Sequence, residues 1–274
     1  MNIFLLCLQI RSCAAAYFDT HVGKIGLEIT QMLFKAHWKL NPQETAQMDQ
    51  DLKNGKYNLY DGCKIADKIE MRADKKSKAH MGHRTAVWIA KHINNYRWAC
   101  FQAIALFEEM EKRNAAYNQT VSKSKMRVVQ HKAAWKAYFL LQHPPASIDR
   151  TPITPTTSNP HALSLPFPLA ISCPICLPPD HPDVKNGHDC YDLQKARDFY
   201  RQYYCHCKIP TEFGYTNARP PQWMGITESQ VPEYLQKVKV NRKRRRERNK
   251  AERERKAAAR EAKRLKKLSK SSLK

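Results

Sequence analysis

The chain has 274 residues, 42% of them hydrophobic, and a formal net charge of +23. That length admits one domain or two small ones with a real core. No apolar run reaches the roughly 18–20 residues of a membrane span, which excludes a transmembrane helix.

The opening "MNIFLLCLQIR" has no positive n-region and meets Arg11 early, which argues against a signal peptide. With nine cysteines scattered along the chain, the expected compartment is the cytoplasm or nucleus, with thiols mostly reduced. Residues 1–10 read either as a short buried strand or as the lead-in to a helix. Asp19 or Thr20 is placed to cap a helix that runs to Leu40. On that helix His21, Lys24, Glu28, Gln31 and Lys35 fall within about 80° of one another. They form one polar stripe between two apolar walls. Val22, Ile25, Ile29, Met32 and Ala36 make one wall, and Leu27, Phe34 and Trp38 the other. Gly23, Gly26 and Thr30 lie opposite, where a neighbouring backbone can approach closely. The stripe reads as the floor of a cleft or as an ordinary exposed face. Read as a cleft, it holds an acid/base set: a carboxylate, Glu28, between the His21 imidazole and the Lys24 ammonium.

A polar stretch, roughly Asn41–Met81, carries only weak helical signals. "HRTAVWIAKHINNYRWACFQAIALFEEMEKRNAAY" (His83–Tyr117) has no Gly or Pro and reads as one long helix. Ile89, Ile93, Cys100, Ile104 and Phe107 form its apolar core face. A second face carries Trp88, His92, Asn95, Ala99, Gln102 and Leu106. Asn95 and Gln102 need partners if buried, and the stripe of the first helix is a source for them. On that ground Asn95 joins the candidate site, although it reads equally as a local hydrogen bonder. A third helix is expected within residues 121–143.

The stretch from Pro144 to Pro182 holds most of the prolines and reads as an extended linker or surface insertion. "CYDLQKARDFYRQYYCHC" (Cys190–Cys207) reads as another helix, and "RPPQWM" as a Pro-braced turn carrying Trp223. Cys173 and Cys176 have zinc-knuckle spacing, with His181, His188, Cys190, Cys205, His206 and Cys207 downstream. The second pair is C-x-C and the gap irregular, so the cysteines read as a zinc site or as unpaired thiols, and no metal ligand set is assigned. The chain has no Gly-rich phosphate cradle and no nucleophile elbow, and no cofactor is indicated.

The tail from about Pro232 is dense in Lys, Arg, Glu and Ala and reads as a helix without a heptad seam. From Lys237 to Lys274, 19 Lys/Arg stand against 4 Asp/Glu, a charge of +15, whereas the remaining 236 residues carry only +8. Such a tail binds polyanions by releasing their counterions. Nucleic acid is the expected partner, contacted by Arg242, Lys243, Arg244, Arg245, Arg246, Arg248 and Lys250. The same run fits an import-receptor patch. An anionic membrane surface and a merely solvated helix are the other readings.

Five pieces stand in a telling order. They are "DTHVGKIGLEITQML" (Asp19–Leu33), His83 five residues before Trp88, "NYRW" (Asn95–Trp98), "FYRQYY" (Phe199–Tyr204) and "PQWM" (Pro221–Met224), with "FPLAI" (Phe167–Ile171) between "NYRW" and "FYRQYY". Together they resemble a family of small, mostly helical proteins of tailed phages and large DNA viruses. Its members are sometimes labelled pyrimidine-dimer DNA glycosylases. The likeness covers about residues 1–40, 80–117 and 165–225. It places His21, Lys24, Glu28 and Gln31 on the family's polar stripe, and His83, Trp88, Asn95, Tyr96, Trp98, Tyr200, Arg201, Tyr203, Tyr204 and Trp223 on its other pattern positions. Phe18 stands for the family's Cys, Arg84 for a Pro and Ala90 for an Arg. The resemblance implies DNA processing at a flipped nucleotide, with Glu28 as the carboxylate.

The expected fold is a mostly α compact helical domain. Residues 1–143 form the first part of its core, 144–182 a Pro-rich insertion, 183–231 the second part and 232–274 a basic helical tail. Two functions follow. One is a viral nucleic-acid-associated protein that processes or repairs DNA through the Glu28 cleft. The other is a non-enzymatic polyanion-binding or packaging factor that acts through the tail.

Overall fold

The computed structural model describes residues 4–54, 82–128, 133–152, 193–215 and 218–271. The protein is mostly α-helical, with no strand among the described residues. The helices are α1 (Ile10–Ala15), α2 (Asp19–Leu40), α3 (Pro42–Lys53), α4 (Arg84–Lys91), α5 (Ile93–Asn118), α6 (Ala133–Gln142), α7 (Leu193–Tyr203), α8 (Ile209–Glu212) and α9 (Val231–Ser271). The Pro-rich residues 153–182, including the Phe167–Ile171 segment, lie outside the described residues.

The centre is an antiparallel pair, α2 against α5, held in one register from end to end. Asp19 meets Arg113, a Cβ on Gly23 would meet Met110, one on Gly26 would meet Phe107, and His37 meets Tyr96. The two glycines permit the approach, as the sequence suggests, but what fills the space is side chain rather than backbone. A Cβ on Gly26 would lie 3.0 Å from the Phe107 ring. The walls of the stripe are core: Val22, Ile25, Ile29, Met32 and Ala36 are buried, as are Ile89, Ile93, Cys100, Ile104 and Phe107 on α4 and α5. Trp88 and Trp98 are buried as well and meet edge to face, ring centroids 5.7 Å apart.

Several sequence expectations change on folding. The N-terminal residues are the lead-in to a helix, with Phe4, Leu5 and Leu6 buried before α1. The Tyr17 hydroxyl ties that lead-in by accepting from the Phe4 N–H at 2.8 Å and donating to its carbonyl at 2.6 Å. Phe18, not Asp19 or Thr20, caps α2, and it offers no side-chain cap. The Asp19 N–H bonds instead to the Gly214 carbonyl at 2.8 Å, and its carboxylate to Arg113.

The expected long helix from His83 is two helices that break at His92, which is fully extended at φ −157° and ψ 147°. The break has a side-chain cause. His92 Nδ1 accepts from the Asn94 N–H at 3.0 Å, capping α5, while Nε2 reaches the Thr151 carbonyl at 2.8 Å. One imidazole thus replaces the helical bond and anchors a distant segment. His83 caps α4 in the same way, accepting from the Thr85 N–H. Residues 144–152, read from the sequence as the start of a linker, lie against the body. Ile148 is buried and the Asp149 carbonyl accepts from the Ile93 N–H at 2.9 Å.

The Cys190–Cys207 stretch is helical from Leu193, and its last turn, Tyr204–Lys208, widens to π geometry. The Pro-braced turn is a 3-10 turn, Gln222–Met224, closed by Gly225 at φ 65°, a left-handed position that suits glycine. The root of α9 is clamped to the body. Val238 is buried, Tyr234 packs on Phe213 at 5.3 Å, and the Asn241 amide donates to the Pro210 carbonyl at 2.6 Å. No helix among the described residues is long and apolar enough to cross a membrane.

Candidate functional site

The polar stripe of α2 is not one continuous surface. His21 is buried and its Nδ1 lies 2.6 Å from the Tyr204 hydroxyl. The same oxygen accepts from the Phe18 N–H at 3.0 Å, so one hydroxyl serves both the backbone before α2 and the His21 ring. His21 is therefore a core residue that joins the start of α2 to the π turn after α7. Phe4, Tyr17 and Phe18 surround this pair at ring-centroid distances of 4.4–6.3 Å.

Lys24 and Glu28 form an i,i+4 pair at 3.9 Å, with side chains 62% and 19% exposed. Gln31 is exposed. These three remain on one face of α2. Asn95 is not with them. It lies beside Tyr96, whose partner is His37, and His37 is 16 residues from His21, or about 24 Å along the helix. The Asn95 amide donates to the Trp88 carbonyl at 3.0 Å, so its partner comes from the last turn of α4 and not from the α2 stripe. The five candidate catalytic residues thus fall into an interior histidine, a surface trio and a helix-end amide.

Two polar residues that the sequence reading passed over are better integrated. Arg113 is 3% exposed and fully engaged. Its Nε donates to Glu109 at 2.7 Å, Nη1 to the Tyr17 carbonyl and to Asp19 at 2.9 Å each, and Nη2 to the Ala15 carbonyl at 2.8 Å. Its guanidinium also sits 5.7 Å from the Tyr215 ring centroid. One side chain therefore ties together α1, α2, α5 and the segment after α8. The only local signal was Glu109 four residues earlier. His37 is the second. Because the Tyr96 hydroxyl donates to the Leu140 carbonyl at 2.9 Å, His37 Nε2 must donate to Tyr96, at 2.8 Å. Burial, with His143 adding, pushes its pKa down to about 4, so it is neutral.

The tail presents a different surface. From Arg242 through Ala259 every residue is exposed. Acidic partners occur at Glu233–Lys237, Lys250–Glu254 and Glu252–Lys256. Arg242, Lys243, Arg244, Arg245, Arg246 and Arg248 pair with no carboxylate among the described residues. Arg242 to Arg246 follow one another at 100° steps and so cover the whole circumference.

Of the cysteine and histidine cluster, Cys173, Cys176, His181, His188 and Cys190 lie outside the described residues. Cys205 is half-buried and Cys207 exposed. No group of three or more potential metal ligands occurs among the described residues.

No family model matches the chain, and no curated protein and no solved structure matches it.

Proposed function

We propose that the protein is a nucleic-acid-associated factor that binds through the basic helix α9, by contact with phosphates rather than by catalysis. The observation that carries this reading is the run Arg242–Arg248. It is exposed, unpaired with acids and spread around a helix whose root is clamped to the body. A helix cationic on all sides has no face to bury against its own protein. It suits a major groove about 12 Å wide, where phosphates stand on both walls. His21 is buried and Asn95 lies near the other end of α2, which supports contact through the tail over chemistry at Glu28. An accessory or packaging role is therefore the better reading. The same run suits an import receptor, which fits action in a nucleus, and the resemblance to helical proteins of DNA viruses is in keeping with it.

The test is a salt series with duplex and single-stranded DNA. The intact chain is compared with a variant carrying Arg242, Arg244, Arg245 and Arg246 each changed to Gln. Four fewer phosphate contacts flatten the log–log salt slope on duplex by roughly 3–4 and weaken binding without regard to sequence. A slope unchanged in the variant sinks this reading. A truncation, if used, should end after Asn241, because Val238 and Asn241 belong to the body.

A further inference from the structure

An open cleft of about 690 Å³ lies between α3 and the segment that follows α6. Its size is that of a small-molecule site. One wall is a single face of α3, where Glu44, Gln47 and Asp51 recur at helical spacing. The Gln47 amide donates to Asp51 at 2.9 Å, which holds that wall in order. The other wall carries Arg97 and Arg150, and buried Met48 with half-buried Leu141 gives the cleft apolar surface.

The guanidinium wall is built rather than loose. The Asp149 carbonyl accepts from the Ile93 N–H, one helical turn before Arg97, which brings Arg150 and Arg97 to the same lip. His92 holds the Thr151 carbonyl at 2.8 Å, and Thr151 N–H and hydroxyl both donate to Asp149. At the hinge of the two walls the Ser147 hydroxyl bonds the Asn41 side chain. Among the described residues, Arg97, Arg150 and Glu44 form no ion pair. Carboxylates and guanidiniums thus line one opening without closing it on each other.

The geometry points to a binding site for a small phosphorylated ligand with hydrogen-bond donors at its other end, of the nucleoside monophosphate class. The phosphate takes the two guanidiniums, whose forked donors match its oxygens. The hydroxyl or amino end takes Glu44 and Gln47, and the body of the ligand lies on Met48 and Leu141. This site is separate from the basic helix and does not depend on the role proposed for it.

The experiment is calorimetric titration of the full chain with adenosine monophosphate, ribose 5-phosphate and inorganic phosphate at 150 mM salt. The same titrations are run on Arg97→Gln, Arg150→Gln and Glu44→Gln, all at exposed positions, and on the fourfold Gln variant of the tail. Expected are one saturable site for adenosine monophosphate, a loss of ten-fold or more in either arginine variant, and no change in the tail variant. Glu44→Gln weakens adenosine monophosphate but leaves inorganic phosphate alone. Tenfold preference over ribose 5-phosphate is expected, and equal affinity for the two overturns the nucleotide assignment. No saturable binding overturns it. So does binding lost only with the tail arginines, or binding equal to that of inorganic phosphate and indifferent to Glu44→Gln.

Discussion

Replacing Arg113 by Leu should be the most damaging single change in the body. The guanidinium serves two carboxylates and two carbonyls, and the Asp19 and Glu109 side chains are only 14% and 12% exposed. Removing one partner of a buried pair costs about 3–5 kcal/mol, chiefly because the other charge is left stranded. Here two are stranded, but both keep some solvent, so a loss of about 4 kcal/mol is expected. Against a total stability of about 5–15 kcal/mol this is a large share. Arg113→Lys keeps the charge but not the fork, and should lose roughly half as much. Urea unfolding followed by circular dichroism at pH 7.5 measures both. Adding Asp19→Asn to Arg113→Leu should recover part of the loss, because one stranded charge goes. If Arg113→Leu shifts stability by less than about 1 kcal/mol, the guanidinium is not the tie described here.

Three further substitutions test the packing of α2. His37 is neutral in the fold, with a pKa near 4, against about 6.5 when unfolded. Between those values the unfolded chain binds the extra proton, so stability should be flat above pH 6.5 and fall as the pH drops to 4. The loss reaches about 3 kcal/mol at its limit. His37→Gln keeps a donor for Tyr96 and should flatten that window; an unchanged difference in urea midpoint between pH 7 and 4.5 would count against the assignment. Gly23→Ala and Gly26→Ala should differ in sign. Each gains about 1 kcal/mol of helix propensity, but only Gly26 faces the buried Phe107 ring, where overpacking costs about 1–3 kcal/mol. At Gly23 the obstacle is the flexible end of Met110. Thermal melts that rank the two alanine variants the other way refute the register.

What was legible in the sequence was what depends on near neighbours. The period of apolar residues marked the buried walls of α2 and the core face of α4 and α5, and composition alone marked α9 as a helix. What was hidden depends on residues far apart in the chain. Nothing around His92 looks like a break, because the groups that stabilise its extended backbone include Thr151, 59 residues away. Asn95 read as a partner for α2 because the break that gives it the Trp88 carbonyl was unseen. Arg113 stands in "EEMEKRN", a run that looks like solvent-facing charge until the chain ends of α1 and α2 are brought to it. His21 looked like part of a wet stripe, although its bond to Tyr204 spans 183 residues. The cleft between α3 and residues 141–150 needs the same long-range register and leaves no mark in either segment alone.

The clamped root of α9 also changes the physics of the arm beyond it. An isolated helix must first fix a turn with little return, a nucleation step that disfavours it by a factor on the order of a thousand. In this chain the contacts of Tyr234, Val238 and Asn241 complete that step within the body. The highly charged segment after Asn241 need only propagate from a template. From Arg242 to Ser271 that is 30 residues, or about 45 Å of helix projecting from the clamp. Added salt, by screening the repulsion among its like charges, stabilises that helix.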